Sequence, residues 1–287
     1  MVKKFFEMMG REINGLHEAA YLLAFFAFLS QILALVRDKL LAYNFGAGHT
    51  LDIYYSAFRI PDLIFVSIAS IVSASVLVPF FIDRFNNDQD KGKRFIDNIF
   101  SAFFLAILVI SAVTYFLMPY LVTVLLPGFA HDKSLSELIL VSRILLLSPI
   151  FLGLSHFLSS ITQMHKRFLV YALSPILYNF GIIFGIVFLY PSLGLYGLIW
   201  GVVIGAFLHM AIQIPFIINK ETFPSLRFDI SWSDIKKVVL ISLPRTVTLS
   251  SNQLASFFLI SLASFMSGGS ISVFSLAFNL QSVPLSI

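Results

Sequence analysis

Apolar stretches of about 20 residues recur along the 287-residue chain, and polar connections separate them. A helix of that length spans the hydrocarbon core of a bilayer. The chain is 58% hydrophobic and 12% charged, with a mean hydropathy of +0.91, which is far from the balance of a soluble domain. Because backbone polar groups must be satisfied internally within lipid, the sequence predicts an all-α, polytopic bundle of transmembrane helices.

The apolar stretches predict where the spans lie. Six complete spans are expected at 20–37, 63–82, 98–130, 138–164, 168–190 and 193–219, a seventh at 238–266, and an eighth that begins near 271. Residues 1–18 mix apolar and charged side chains, which predicts an interfacial helix that leads into the first span. We expect a six-helix N-terminal lobe over 1–225 and the start of a second lobe over 226–287. Because the chain ends within an apolar stretch, we expect a fragment of a longer transporter-like protein.

Positive charge is concentrated in alternate connections. Most of the 19 Lys and Arg residues lie in the N-terminal segment and in three connections, namely Lys3, Lys4 and Arg11, then Arg84, Lys91, Lys93 and Arg94, then Lys166 and Arg167, then Lys220, Arg227, Lys236 and Lys237. The intervening connections carry Lys133 alone. Cytoplasmic loops are enriched in Lys and Arg, so the sequence predicts a cytoplasmic N-terminus.

Five cations remain in or near the predicted spans: Arg37, Lys39, Arg59, Arg143 and Arg245. A charge at the centre of a bilayer costs about 2.5–3.5 kcal/mol on insertion scales, so such residues usually turn towards a partner or a wet cavity. Lys39 and Arg143 could instead extend to the membrane interface. Arg37 with Asp38, and Arg59 with Asp62, could be local ion pairs that only join helices.

The positions of Arg37 and Arg59 favour a functional interpretation. They lie on consecutive spans, and Pro61 interrupts the backbone ladder of the second. Interrupted helices in membranes tend to line cavities, and Asp52 lies at a helix start, where the helix dipole favours a carboxylate. Since the planar guanidinium group is suited to phosphate, we expect a cationic, water-lined cleft that binds an anionic ligand.

Catalysis and cofactor binding are not expected. The sequence contains no cysteine and no evident pairing of a nucleophile with a base, and its six histidines lack the spacing of a metal site. His156 and His209 fall within spans, where hydrogen bonding between helices is the more common role and a proton relay the alternative. We expect neither an enzyme nor a nucleic-acid partner.

A weak internal repeat relates residues 41–60 to residues 261–280 with an offset of 220. The alignment pairs Gly48 with Gly268, Ala57 with Ala277 and Phe58 with Phe278. Since six spans separate the copies, both would enter the membrane from the same side. The repeat therefore predicts two parallel lobes with a site between them.

Several segments resemble the lipid II flippase MurJ (MviN) family. They are "VRDKLLAYNFGAG", "LDIYYSAFRIPDL" and "VPFF", then "KRFLVYALSPILYN" at 166–179, "QIPFI" at 213–217 and "PRTVTLSSNQLASFFLISLASFMSGGS" at 244–270. The resemblance covers nearly the whole chain. It implies a bacterial inner-membrane protein of an exporter superfamily with two six-helix lobes. The implied activity moves undecaprenyl-pyrophosphate-linked peptidoglycan precursor from the inner to the outer leaflet, driven by a coupling ion or the membrane potential.

The resemblance also implies roles for individual residues. The substrate-binding positions carried over to this chain are Ser30, Arg37, Asp38, Asp52, Arg59 and Arg245. Gln31, Phe65, Val66 and Asn279 stand where the family has cavity arginines, and Phe278 stands at an acidic position. This thinner cluster leaves open an exporter of another polyprenyl-linked saccharide, such as O-antigen. The end of the given sequence within an apolar stretch leaves open a second alternative, a non-transporting membrane scaffold or inactive fragment.

Overall fold

The computed structural model describes residue 10, residues 12–218 and residues 220–285, with side chains up to residue 283. The described residues form helices and contain no strand. Eight helical stretches follow one another: α1 Leu16–Phe45, α2 His49–Asn87, α3 Gln89–Leu125, α4 Leu135–Met164, α5 Phe168–Leu193, α6 Leu195–Ile217, α7 Trp232–Ala263 and α8 Ser270–Leu285. The all-α prediction is confirmed.

Six of these helices, α1 to α6, are long and apolar enough to cross a membrane among the residues described. The chain is therefore a multi-pass membrane protein. The seventh predicted span is α7, which is long but falls outside this set because its middle is polar, from Arg245 to Ser256. The shorter α8 is apolar. The interfacial helix predicted for 1–18 lies almost wholly outside the described residues, and α1 begins at Leu16.

Prolines interrupt two of the spans. In α2 the first break is at Phe58, three residues before Pro61, and in α4 the break is at Leu146, three residues before Pro149. Proline lacks the N–H that would bond to the carbonyl four residues earlier, which explains the position of each break. A second interruption of α2, at 70–73, divides the span that the sequence predicted to be continuous over 63–82.

A stripe of glycines joins α5 to α6. A Cβ atom added at Gly181 would lie 2.2 Å from the Cα of Gly205, and one added at Gly185 would lie 2.6 Å from the Cα of Gly201. Gly197 continues the stripe, where a Cβ would lie 2.4 Å from the carbonyl group of Leu189. Small residues four apart allow helix backbones to approach closely in lipid, so α5 and α6 pack as a close pair.

The connection between α6 and α7 is fixed to the start of α3. Asp97 is buried and accepts a hydrogen bond of 2.8 Å from the backbone N–H of Ser225, and it forms an ion pair of 3.3 Å with Arg227. Asn98 donates to the carbonyl of Ser231 at 3.0 Å and accepts from its N–H at 2.8 Å. These contacts determine where α7 begins beside α2 and α3.

Candidate substrate cavity

A cavity of about 490 Å³ lies between the first six helices and the α7–α8 pair. One wall is the middle of α2, from Arg59 to Ser73, and the opposite walls belong to α7 and α8. The interruptions of α2 at Phe58 and at 70–73 frame this wall. A cavity beside interrupted helices is where membrane proteins can place polar groups at low cost.

Two of the predicted cations, Arg59 and Arg245, line the cavity. The Nε of Arg59 donates to the carbonyl of Tyr55 at 3.1 Å, and an Nη of Arg245 donates to the hydroxyl of Ser75. Neither guanidinium forms an ion pair with a carboxylate in the described part of the chain. Both therefore retain N–H donors for a ligand.

Asp62 also lines the cavity and was not among the predicted site residues. It follows Arg59 by three residues on α2, so the two side chains lie on the same helix face. The sequence interpretation treated this pair only as a possible structural ion pair. The structure places both side chains at the cavity instead.

Uncharged polar side chains of α7 and α8 complete the lining: Asn252, Gln253, Ser256, Ser275 and Asn279. The hydroxyl of Ser275 is buried and has no hydrogen-bond partner among the described residues. The α7 members recur at helical spacing with Arg245, as one face of a helix requires. That periodicity is a sequence signal that could have identified them.

Arg37 and Asp38 lie behind the cavity wall. Arg37 binds Asp38 with an N–O distance of 2.8 Å and donates to Asn179 on α5 at 3.1 Å. Asp38 accepts a hydrogen bond of 3.1 Å from Asn279, which lines the cavity. The local ion pair proposed for Arg37 and Asp38 is thus present, and among the described residues Asn279 is the one that joins it to the cavity lining by a hydrogen bond.

Asp52 is buried at the junction of α2 and α8, outside the cavity. Its carboxylate accepts hydrogen bonds from the N–H of Gly269 at 2.6 Å and from the N–H of Ser272 at 2.8 Å. The Ser272 hydroxyl donates a third bond at 2.6 Å. A carboxylate satisfies the free N–H groups at a helix start, so Asp52 attaches α8 to the first six helices.

Ser30 lies elsewhere, in a separate pocket of about 460 Å³ between α1 and α5. Its hydroxyl accepts a hydrogen bond of 3.4 Å from Asn179. The structure therefore brings together Arg59 and Arg245, connects Arg37 and Asp38 to them indirectly, and places Ser30 and Asp52 at other contacts.

The two membrane histidines differ in their surroundings. His209 is buried and its Nδ1 lies 2.6 Å from the hydroxyl of Ser155, a contact that joins α6 to α4. His156 lines the cavity and stacks on His209 with a centroid distance of 6.2 Å. No metal-binding cluster of His, Asp or Glu occurs among the residues that the structure describes.

Six helices long and apolar enough to cross a membrane, with a cavity lined by charged side chains beside them, define a polytopic membrane protein. The chain belongs to the lipid II flippase MurJ family, since the family model described as "Lipid II flippase MurJ" matches residues 41–287.

Relatives and solved structures agree with this membership. The chain is 27% identical over 274 residues to the probable lipid II flippase MurJ of Rickettsia prowazekii, covering 95% of this chain and 54% of the relative. It is 27% identical to the lipid II flippase MurJ of Burkholderia cenocepacia, covering 91% and 52%. The chain thus spans about half the length of these relatives.

A solved lipid II flippase MurJ in an inward closed conformation has a TM-score of 0.78 and 25% identity, covering 93% of this chain and 56% of that one. An inward-facing multidrug resistance MATE family transporter of the MOP superfamily has a TM-score of 0.71 at 18% identity, covering 89% and 59%, which shows a shared fold.

Proposed function

We propose that this chain provides the first lobe, residues 1–225, and the start of the second lobe, residues 226–287, of a lipid II flippase. The activity would move undecaprenyl-pyrophosphate-linked peptidoglycan precursor from the inner to the outer leaflet, as transport and not as catalysis. The observation that carries the proposal is the cavity between the lobes, where Arg59 and Arg245 keep unpaired donors.

Arg59 and Arg245 bind the diphosphate of the cargo in this proposal. Guanidinium groups pair with phosphate oxygens through charge-assisted hydrogen bonds. Asp62 lines the cavity on the same helix face as Arg59 and is positioned to compete with the diphosphate for that guanidinium. The amides of Asn252 and Gln253 are positioned to bind the saccharide and peptide, while the polyprenyl tail stays in the bilayer.

Asp38, Asp52, Arg37 and Ser30 have supporting roles in the proposal. Asp38 neutralises Arg37 and orients Asn279 at the cavity wall. Asp52 holds α8 against α2 at the end that the charge pattern assigns to the outside. Alternating access then requires this contact to open while the opposite end closes. Ser30 orients Asn179, which accepts from Arg37.

The distribution of Lys and Arg supports a cytoplasmic N-terminus in the bacterial inner membrane. The membrane potential contributes about 2.3 kcal/mol per elementary charge per 100 mV. A step that moves a cavity cation or a coupling ion across part of the membrane would therefore be biased by the potential.

The direct test is translocation of a fluorescent lipid II analogue in proteoliposomes that contain this chain. Arg59→Gln and Arg245→Gln are expected to weaken cargo binding by about 10- to 100-fold, because each loses charge-assisted hydrogen bonds. Arg94→Gln is the matched control, since Arg94 is an exposed cation near the start of α3 that lies away from the cavity.

Three outcomes would contradict the proposal. Undiminished translocation of the lipid II analogue by both Arg59→Gln and Arg245→Gln would show that these arginines do not form the substrate site. Transport of a polyprenyl-linked oligosaccharide in preference to the lipid II analogue would favour an exporter of another cargo. No translocation of either lipid by the unmodified chain would favour the scaffold alternative.

A further inference from the structure

A second groove lies on the outer surface of the bundle, between α3, α4 and α6. Its volume is about 550 Å³ and its lining is almost wholly apolar, with Leu108, Ala112, Ile144, Leu147 and Ile150 among its residues. Phe116 and Leu140 at its rim are 76% and 47% exposed. The groove shares no lining residue with the substrate cavity, and its exposed apolar rim places it on the surface that would meet lipid.

Arg143 lies in this groove without a carboxylate partner. Its Nε donates to the carbonyl of Tyr115 at 3.0 Å, and its Cζ lies 4.7 Å from the centroid of the Tyr115 ring. It forms no ion pair within the described part of the chain, and its two terminal nitrogens have no hydrogen-bond acceptor there. An anion from outside the protein would compensate this guanidinium, because an uncompensated charge next to lipid is costly.

Ser111 supplies a second unpaired group in the same groove. Its side chain is buried, with 4% exposure, and its hydroxyl has no hydrogen-bond partner among the described residues. Ser111 precedes Tyr115 by four residues, or about 6 Å along α3. The groove wall therefore contains a cation and, one turn earlier on α3, a buried hydroxyl that has no hydrogen-bond partner among the described residues.

Aromatic residues indicate the depth of this arrangement. Tyr196 and Trp200 occupy the first turns of α6 and line the groove beside Arg143. Tyr and Trp are enriched where the bilayer meets water, and a long arginine side chain can reach that level. Leu108 and Ile150, towards the middle of their helices, lie at the apolar end of the groove.

We propose that this groove binds one glycerophospholipid with an anionic headgroup. The lipid phosphate accepts hydrogen bonds from the terminal nitrogens of Arg143, and an ester carbonyl accepts one from the hydroxyl of Ser111. One acyl chain lies along the apolar lining. A glycerophospholipid carries its ester carbonyls a few ångströms deeper than its phosphate, which matches the order of the two groups, whereas a polyprenyl phosphate has no such carbonyl. The proposal is independent of the cargo.

Trp200 allows the site to be measured directly. The chain has two tryptophans, Trp200 and Trp232, so Trp232→Phe leaves only the reporter in the groove. Vesicles containing a phospholipid with brominated acyl chains quench a tryptophan that they contact. We expect brominated phosphatidylglycerol to be preferred over brominated phosphatidylcholine by about five-fold in the Trp232→Phe chain, as one cation near the membrane surface predicts.

Three variants separate charge from structure. Arg143→Gln is expected to abolish the preference, Arg143→Lys to keep most of it, and Lys133→Gln, which changes a cation outside the groove, to leave it unchanged. Ser111→Ala should weaken binding of ester-linked phosphatidylglycerol by about three-fold. Ether-linked phosphatidylglycerol, which lacks the carbonyls, should bind equally well to the Ser111→Ala variant and to the chain that retains Ser111.

Several results would overturn the assignment. Equal quenching of Trp200 by both brominated lipids in the Trp232→Phe chain would mean that the groove is occupied by bulk lipid without selection of the headgroup. A preference that persists in Arg143→Gln would remove the phosphate contact, and if that variant fails to fold, a preference that persists in Arg143→Met decides the same point. Displacement by undecaprenyl phosphate at a lower concentration than unbrominated phosphatidylglycerol would assign the groove to the cargo tail.

Discussion

Asp52 shows how one residue can serve a function other than the one its charge suggests. The sequence placed it in a cluster with the cavity arginines, but its carboxylate is fully occupied by the N–H groups of Gly269 and Ser272 and by the Ser272 hydroxyl. Its charge is compensated by the start of α8 and not by a guanidinium. It therefore holds closed the junction between α2 and α8.

Asp52→Ala is expected to destabilise this junction by about 3 kcal/mol, because a buried carboxylate and its charge-assisted hydrogen bonds are lost. The chain contains no cysteine, so Asn252→Cys in the cavity provides a single labelling site. A membrane-impermeant maleimide added from outside should label this cysteine several-fold faster in the Asp52→Ala background. Asp83→Ala, at an exposed position, serves as the control, and equal rates in both backgrounds would refute the closing role.

At the scale of helices, the glycine stripe between α5 and α6 fixes how the first lobe is built. Gly181, Gly185, Gly201 and Gly205 place two backbones in contact with no side chain between them. Such a pair has little freedom to separate, since close packing is what drives association in lipid. The pair should move as one unit during any change of conformation.

Gly201→Ala tests this packing. The added Cβ would lie 2.5 Å from the Cα of Gly185, so the helices must separate, at a cost of about 1–3 kcal/mol. The higher helix propensity of alanine offsets part of this cost. Gly268→Ala is the matched control, because a Cβ there meets nothing within 4 Å. Thermal unfolding in detergent should show a lower Tm for the first variant only, and an unchanged Tm for both would contradict the close packing.

The sequence predicted helices better than it predicted which way their side chains face. Length and hydropathy placed six spans, and Pro61 signalled the interrupted wall of the cavity. Arg59 and Arg245 were found because a cation within an apolar span usually faces a cavity or a partner. Ser30 was placed in the cavity only through resemblance, whereas Arg37 was placed there by the same argument as Arg59, and α1, which carries both Ser30 and Arg37, is apolar on nearly all sides. Such a helix gives no sign of which face meets a neighbour, so their positions depend on packing against α5.

At the scale of the whole molecule, the predicted repeat gains support from one contact. Asp52 and Ser272 are separated by 220 residues, which is the offset of the repeat, and they are hydrogen bonded to each other. Residues that are equivalent in two related halves meet in this way when they lie at the axis between the halves. The contact supports two parallel lobes that begin alike, with α2 starting at His49 and α8 at Ser270.

The orientation of the whole molecule can be checked with the same cysteine-free background. Lys133→Cys is expected to react with an impermeant maleimide from outside intact cells, and Lys91→Cys only after the cells are opened, because Lys91 lies in a connection rich in Lys and Arg. The reverse pattern would mean that the N-terminus is external. It would also place the lipid groove in the inner leaflet.

The donors that bind Asp52 have a consequence for how such a protein can evolve. Two of them are main-chain groups, so they do not depend on which side chain residue 272 carries. Residue 269 has no such freedom, because its φ is +93° and an added Cβ would lie 2.5 Å from the carbonyl oxygen of Ala47. Substitutions at residue 272 can therefore change the strength of the α2–α8 contact in small steps, because they alter only the hydroxyl donor. Substitutions at residues 52 and 269 would change it in large steps.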